Sequence, residues 1–301
     1  MSVHHGSTYM NDQAFQAVAE HLEAPYQLNT EGCSKVVESN RQLSESYFEH
    51  LTFPVSPFWE SYFVSKLSVI EPAQREVCVD VCCGTGTLCL NIMPSIGFET
   101  LVAVDNSATA IETLKQRIQA QQAIEARQDD ITCTSFMETS IDAVYGNSFL
   151  HHLPDNPSFL QEMHRILRPG GVIVFTGEPT IGAAFLENAI MMPILKMLWF
   201  FRLKKRRTNE NPVTDIWLYE KSTLSEMLSS VGFTEIQIKP FGFLVTLFNW
   251  PSAILFKIFT GKSAQPDWYW KILGYVDRLF FFWLPPNCHS HFVIAARKKE
   301  A

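Results

Sequence analysis

Charge is scarce in this sequence. Only 18% of its 301 residues are Asp, Glu, Lys or Arg, below the roughly 25% usual for soluble domains. It also has no surplus of cations: 24 Lys and Arg stand against 31 Asp and Glu, a formal net charge of −7. A polyphosphate partner therefore meets no chain-wide attractive field, and no nucleic-acid role is expected. The one short basic run is Arg202 to Arg207. No CxxC pair and no neighbouring histidine accompany Cys78, Cys82, Cys83 and Cys89, so these thiols read as small buried hydrophobes in a reducing compartment, with no metal expected. The N-terminal MSVHHGSTYMNDQ lacks a basic stretch followed by an apolar core, so nothing marks the chain for secretion and the cytoplasm is its expected address.

Apolar side chains are plentiful instead. Hydrophobic residues make up 47% of the chain, including 23 Phe and 7 Trp, which excludes disorder as the main state. Four zones are expected: a helical N-terminal cap over 1–75, a core over 76–180, a hydrophobic insert over 181–221, and 222–301 returning to the core around a second, aromatic-rich insert at 241–284. In the cap, Phe15, Val18, Ala19 and Leu22 recur at helical spacing. From Val77 onward, short β-branched runs alternate with helical patterns, as a parallel sheet with crossover helices requires. Strands are expected at Val77 to Cys82, Thr100 to Val104, Ile124 to Gln128, Ala143 to Gly146, Val172 to Thr176, Thr234 to Lys239 and His289 to Arg297. Helices are expected after Ser107, with Ile111, Leu114 and Ile118 on one face, and from Asn156 to the Pro169-Gly170-Gly171 stop. A third should run from a Thr223/Glu226 capping box to Gly232.

The most informative stretch is VDVCCGTGTL, Val79 to Leu88. It ends a buried strand, turns on Gly84 and Gly86, and starts a helix. Glycine lets the backbone approach a ligand and turns the first helical N–H groups toward it. Such a turn suits NAD, FAD or an adenosyl ligand. Asp105 closes the second strand 19 residues after Gly86, where a carboxylate can accept both ribose hydroxyls. A dinucleotide site wants a third glycine for helix packing, and Cys89 stands there, so NAD loses ground.

From about Glu76 to Thr180 the chain resembles the class I S-adenosylmethionine-dependent methyltransferases. The resemblance rests on five motifs in order: VDVCCGTGTL, VAVDNS, the Asp129-Asp130 pair, IDAVYGNSFLHHL and RILRPGGVIVFTGEP. It implies a doubly wound, mostly parallel seven-stranded Rossmann-like sheet with a reversed last strand, placing Thr234 to Lys239 and His289 to Arg297 at the far edge. It implies S-adenosylmethionine as cofactor, with Asp80, Cys82, Gly84 and Gly86 around the methionine part, Asp105 with Asn106 at the ribose, Asp130 with Ile131 behind it at the adenine, and Asn147 on the floor. The family often has glycine where Cys82 stands, so the pocket is narrower there. A sulfonium already carries an activated methyl, so the reaction needs alignment and exclusion of water rather than a metal.

His151 and His152 border the methyl-transfer site by the same resemblance and are the candidate bases for an acceptor hydroxyl. Glu178 is expected to leave the fifth strand toward the pocket mouth, and His289 and His291 to share one face of the last strand. Residues 241–284 hold 14 aromatics against 6 charges. Three readings compete: plain core, a lipophilic acceptor pocket, and docking on a membrane surface through Trp199 to Arg207. A true span is disfavoured by Pro193, Glu187 and Lys196 in one apolar segment and by Asn249, Pro251 and Lys257 in the other. The expected function is methyl transfer to a small, hydrophobic acceptor. The alternatives are a peripheral membrane protein that keeps a nucleoside pocket, and an NAD-dependent oxidoreductase.

Overall fold

A computed structural model describes residues 57–118, 123–153, 155–180, 218–244, 266–280 and 283–300. Most of the expected N-terminal cap, the insert over 181–217 with Trp199 to Arg207, and residues 245–265 lie outside the described residues. The elements run α1 (Pro57–Leu67), β1 (Val77–Val81), α2 (Thr87–Asn91), β2 (Thr100–Asp105), α3 (Ala108–Arg117), β3 (Ile124–Gln128), β4 (Ile141–Asn147), α4 (Asn156–Ile166), β5 (Leu167–Pro179), α5 (Lys221–Val231), β6 (Phe233–Phe241), α6 (Asp267–Phe280) and β7 (His291–Lys298).

The strands form one sheet in the order β3-β2-β1-β4-β5-β7-β6. Pairing is parallel from β3 through β5 and antiparallel on both sides of β7. This is the doubly wound, mostly parallel seven-stranded α/β sheet expected. The reversed strand β7 lies one place in from the edge, and β6 forms the edge itself.

Alternation along the strands feeds two cores. Val79, Val81, Val102 and Val104 face one side, where α4 supplies Phe159, Leu160, Met163 and Ile166 and α5 supplies Leu224 and Leu228. Cys78, Leu101 and Ala103 face the other, covered by Leu67 of α1, Leu88 and Cys89 of α2, and Ile111 and Leu114 of α3. Each large α4 side chain buried this way stabilises by about 1.5–3 kcal/mol. Cys78, Cys83 and Cys89 are buried free thiols, and burial pushes all three above the usual thiol range, which makes them inert.

Helix ends follow local chemistry where local chemistry decides. Ser107 accepts from Ala110 N–H (3.2 Å) and Asp155 from Ser158 N–H (3.0 Å). Gly232, at φ 105°, ends α5 by donating to Leu228 and Ser229 carbonyls. β4 and β6 begin one or two residues early, at Ile141 and Phe233, and three starts differ for reasons of long-range contact or turn geometry. First, α5 begins before the Thr223/Glu226 box: its N-cap is Glu220, which makes no side-chain cap bond, and Lys221 N–H goes to Asn287 Oδ1 (3.2 Å). Second, β5 begins at Leu167, so Pro169-Gly170-Gly171 lies inside the strand. Arg168 holds that corner, donating to Asp142 and Glu76 at 2.8 Å each, while buried Asp142 also accepts the Glu76 and Val77 amides. Third, β7 begins at His291, and His289 sits buried ahead of it as the cap of the turn Pro286–Cys288. No helix among the described residues is long and apolar enough to cross a membrane.

Candidate active site

The strand order reverses at β1, whose neighbours are β2 and β4. In such sheets a crevice opens beyond the carboxyl ends of the strands at that point. The loop leaving β1 forms its floor. Cys83 N–H donates to Val104 O (3.0 Å) and Gly86 N–H to Cys83 O (2.9 Å). Gly84 and Gly86 take φ of 52° and 93°, and a Cβ on Gly86 would lie 2.4 Å from Leu114 Cδ1. Only glycine fits there. Cys82 occupies the same left-handed region, at φ 50°, where a side chain costs on the order of 1–2 kcal/mol.

Asp105 secures the turn. Its Oδ2 accepts from Gly84 N–H and its Oδ1 from Ser107 N–H, both at 2.9 Å. Burial raises its pKa, and the amides of Ser107, Gly84 and Asn106 counteract part of that rise. Each oxygen keeps a lone pair for a further donor. Asp80 lies deeper, 1% exposed, and its Oδ2 accepts from Cys89 N–H (3.1 Å); burial pushes its pKa up to about 8. One of the helical amides expected to face a ligand is thus already occupied from below.

Asp129 and Asp130 follow β3, with Asp129 N–H donating to Asp105 O (3.2 Å). Asp129 Oδ2 accepts from the amide (2.9 Å) and hydroxyl (2.6 Å) of Ser135. Slight burial works to raise its pKa, but those bonds outweigh it and the net shift is downward. Asp130 is the exposed member of the pair, with Oδ1 accepting from Thr132 N–H (2.8 Å) and Oγ1 (2.7 Å). Ile131 is buried in the core below. Asn106 is exposed and its carbonyl accepts from Gln128 Nε2 (3.0 Å). Asn147 ends β4, and its Oδ1 would be 2.9 Å from a Cβ on Gly177.

Negative charge dominates this crevice. Burial, then Asp105, Asp80, Glu178 and Asp130 in that order, hold the Cys82 thiol well above the usual range. A diphosphate would be repelled by that carboxylate set, whereas ribose hydroxyls find acceptors and a cationic sulfur finds compensating charge. The residues present therefore fit an adenosyl sulfonium better than a nicotinamide dinucleotide.

The loop after β4 is clamped from beneath. Thr176 pairs with Val293 and Glu178 with Phe292, so Gly177 (φ 77°) is an extra residue in β5, a bulge that re-aims the side chain after it. Glu178, with no exposed surface, lies under the loop rather than at the pocket mouth. Its Oε1 accepts from the amides of Phe149 and Leu150 and its Oε2 from the amide of His151, each at 3.1 Å. Oε2 also lies 2.8 Å from His151 Nδ1. Burial alone would raise its pKa, but His151 and the loop amides hold it below the usual glutamate range. His151 is 4% exposed, and its ring centroid is 3.9 Å from that of His152. His152 is the less buried of the two. Tyr219, which no sequence pattern singled out, donates its hydroxyl to Leu150 O (3.0 Å) and accepts from Asn156 Nδ2 (2.7 Å). His291 pairs with Pro179 across the sheet, and its ring lies 5.7 Å from that of Phe241 on the β6 edge.

The fold is that of S-adenosylmethionine-dependent methyltransferases, and the domain match over residues 79–175 makes this chain a methyltransferase with S-adenosylmethionine as its cofactor. Residues 79–175 match the methyltransferase domain family, and the oxidoreductase reading gives way. The demethylmenaquinone methyltransferase of Staphylococcus epidermidis is 27% identical over 198 residues, covering 64% of this chain and 80% of that protein. The enzyme of the same name from Oceanobacillus iheyensis is 28% identical over 175 residues, covering 55% and 73%. Phosphoethanolamine N-methyltransferase 2 of Haemonchus contortus, solved with S-adenosyl-L-methionine, shares the fold at a TM-score of 0.54 and 14% identity, covering 90% of this chain and 59% of that one. An S-adenosylmethionine-dependent methyltransferase from Mesorhizobium loti shares it at 0.51 and 18% identity, covering 81% and 98%.

Proposed function

We propose that this protein methylates a small lipophilic acceptor of the quinol or phenol kind. The observation that carries the reading is the similarity to demethylmenaquinone methyltransferases over 64% of the chain. The apolar, aromatic-rich sequence after β5 and β6 supports it, since lipophilic acceptors are held by apolar and aromatic side chains.

When bound, S-adenosylmethionine supplies a methyl group on a positively charged sulfur. Asp105, with Asn106 beside it, accepts from the ribose, and Asp130 and Ile131 meet the adenine edge and face. Gly84, Gly86 and Cys82 form the floor under the methionyl arm, with Asn147 bordering it and the Asp80 carboxyl holding the Cys89 amide from below. The amides of Phe149, Leu150 and His151, all fastened to Glu178, fix the wall that shuts water from the reacting atoms. His152 takes the proton of the acceptor hydroxyl, and His151 positions His152 through the close, tilted approach of their rings.

Transfer of labelled methyl to lipid-extractable product tests this. With purified full-length chain, a short-chain demethylmenaquinol should become labelled and phosphoethanolamine should not. Labelling of phosphoethanolamine, or of no quinol or phenol by protein that binds S-adenosylmethionine, refutes the acceptor class.

A further inference from the structure

Helix α6 carries a surface that methyl transfer does not use. Trp268, Ile272, Tyr275 and Leu279 are 62%, 54%, 65% and 45% exposed. Their spacing of four, three and four residues puts them on one line along the helix. At 1.5 Å per residue the stripe is roughly 17 Å long. Trp283, just beyond the helix end, is 67% exposed. Single exposed hydrophobics are ordinary, but an aligned set of this kind marks an interaction surface.

The helix cannot roll the stripe inward, because its other side is fastened. Trp270 is 3% exposed. Asp277 accepts from Phe243 N–H (3.2 Å) and Leu244 N–H (2.6 Å). Burial and the nearby Asp277 charge both push the Tyr62 phenol of α1 above its usual range, which places α1 against the same side.

Charge on the helix selects the partner. Its exposed charged residues are Lys271 and Arg278, both cationic, whereas Asp267 and Asp277 are partly buried. Lys271 and Arg278 are seven residues apart, along one flank of the stripe. The four stripe residues expose about 500 Å², short of the roughly 800 Å² per partner of a stable protein interface. An apolar line with Trp and Tyr, edged by cations, matches the boundary between lipid headgroups and acyl chains. We infer that α6 docks the protein on an anionic lipid bilayer, with Trp268, Ile272, Tyr275 and Leu279 entering the headgroup boundary and Lys271 and Arg278 meeting lipid phosphates.

Vesicle flotation of the full chain tests this independently of any methyl acceptor. The wild type should float with vesicles containing phosphatidylglycerol, and W268S/Y275S/L279S should lower the partition coefficient at least tenfold, about 1.4 kcal/mol. K271E/R278E should keep the apolar stripe and lose the preference for anionic over phosphatidylcholine-only vesicles. Unchanged S-adenosylhomocysteine binding checks that each variant is folded; should the triple variant not fold, the charge variant decides alone. The inference is overturned if the wild type does not float, if the variants float like the wild type, or if the triple substitution instead turns a dimer into a monomer by sedimentation velocity.

Discussion

Replacing Glu178 with glutamine keeps the side chain's shape and removes its charge, so it reads out the clamp under the loop after β4. The carboxylate satisfies four donors, two on each oxygen. A glutamine presents one oxygen and one NH2. If the NH2 replaces Oε1 it faces the amides of Phe149 and Leu150; if it replaces Oε2 it faces the amide and Nδ1 of His151. In the first case two buried amides lose an acceptor; in the second the His151 amide loses one, while the His151 ring takes its other tautomer and accepts from the NH2 at Nδ1. The second arrangement strands one donor and costs about 1–3 kcal/mol. At about 2–4 °C per kcal/mol for a domain of this size, the melting temperature should fall by about 6 °C. The pH dependence gives a second signature. The native pKa of Glu178 lies below its ordinary value, so its contribution is complete above the ordinary glutamate range and is lost as pH falls through the lowered native value. Wild-type protein should therefore lose stability on acidification more steeply than Glu178→Gln. Scanning calorimetry across the acid range measures both. A fall below about 2 °C, or identical acid slopes, refutes the clamp.

Three further outcomes follow from single residues. Cys82→Gly relieves a left-handed residue worth about 1–2 kcal/mol and adds chain entropy worth about 0.5–1 kcal/mol, so urea unfolding should show a stability equal to wild type or up to about 1 kcal/mol higher; a clear loss contradicts the strain. Asp80→Asn keeps an acceptor for Cys89 N–H and removes a carboxyl whose native pKa is raised to about 8. Wild type loses that group's contribution as pH rises from the ordinary aspartate range through this value, so the variant should melt higher than wild type in alkali and alike in acid. The reverse ordering in thermal melts would sink the assignment. Gly177→Ala forces a side chain into φ 77° and within 2.9 Å of Asn147 Oδ1, so chemical denaturation should show a loss of about 1–3 kcal/mol, and an unchanged midpoint would contradict the tight approach.

Much of this architecture is legible in the sequence where a local rule governs it. The alternation of Val79, Asp80 and Val81 places apolar side chains in the sheet and leaves the carboxylate beneath the glycine turn. Ser107 and Gly232 mark helix ends because capping is a property of adjacent backbone. The aim of Glu178 is not legible: it depends on one inserted residue, Gly177, and alternation read through the strand without that bulge turns the side chain to the wrong side. The start of α5 is likewise set from far along the chain, by Asn287 at the Lys221 amide. Tyr219 reaches Leu150 only because Thr180 and Tyr219 form an isolated parallel bridge, a pairing that carries no signature of its own. The strand-end Asp105 and the glycine turn it holds are legible because each is set by adjacent backbone; an acceptor site is not, because no local rule fixes which segments far apart in the chain would meet.

The crevice between β1 and β4 should hold a charged-sulfur nucleoside, and the roles given to its residues rest on that. Isothermal titration of the full chain with S-adenosylmethionine and S-adenosylhomocysteine, against NAD as control, tests this directly. Both adenosyl ligands should bind at one site per chain and NAD should give no heat. Asp105→Ala, verified as folded by circular dichroism, should weaken both by more than tenfold, since it removes charge-assisted bonds worth about 1.5–3 kcal/mol each. No heat with either adenosyl ligand, or equal affinity in the variant, contradicts it.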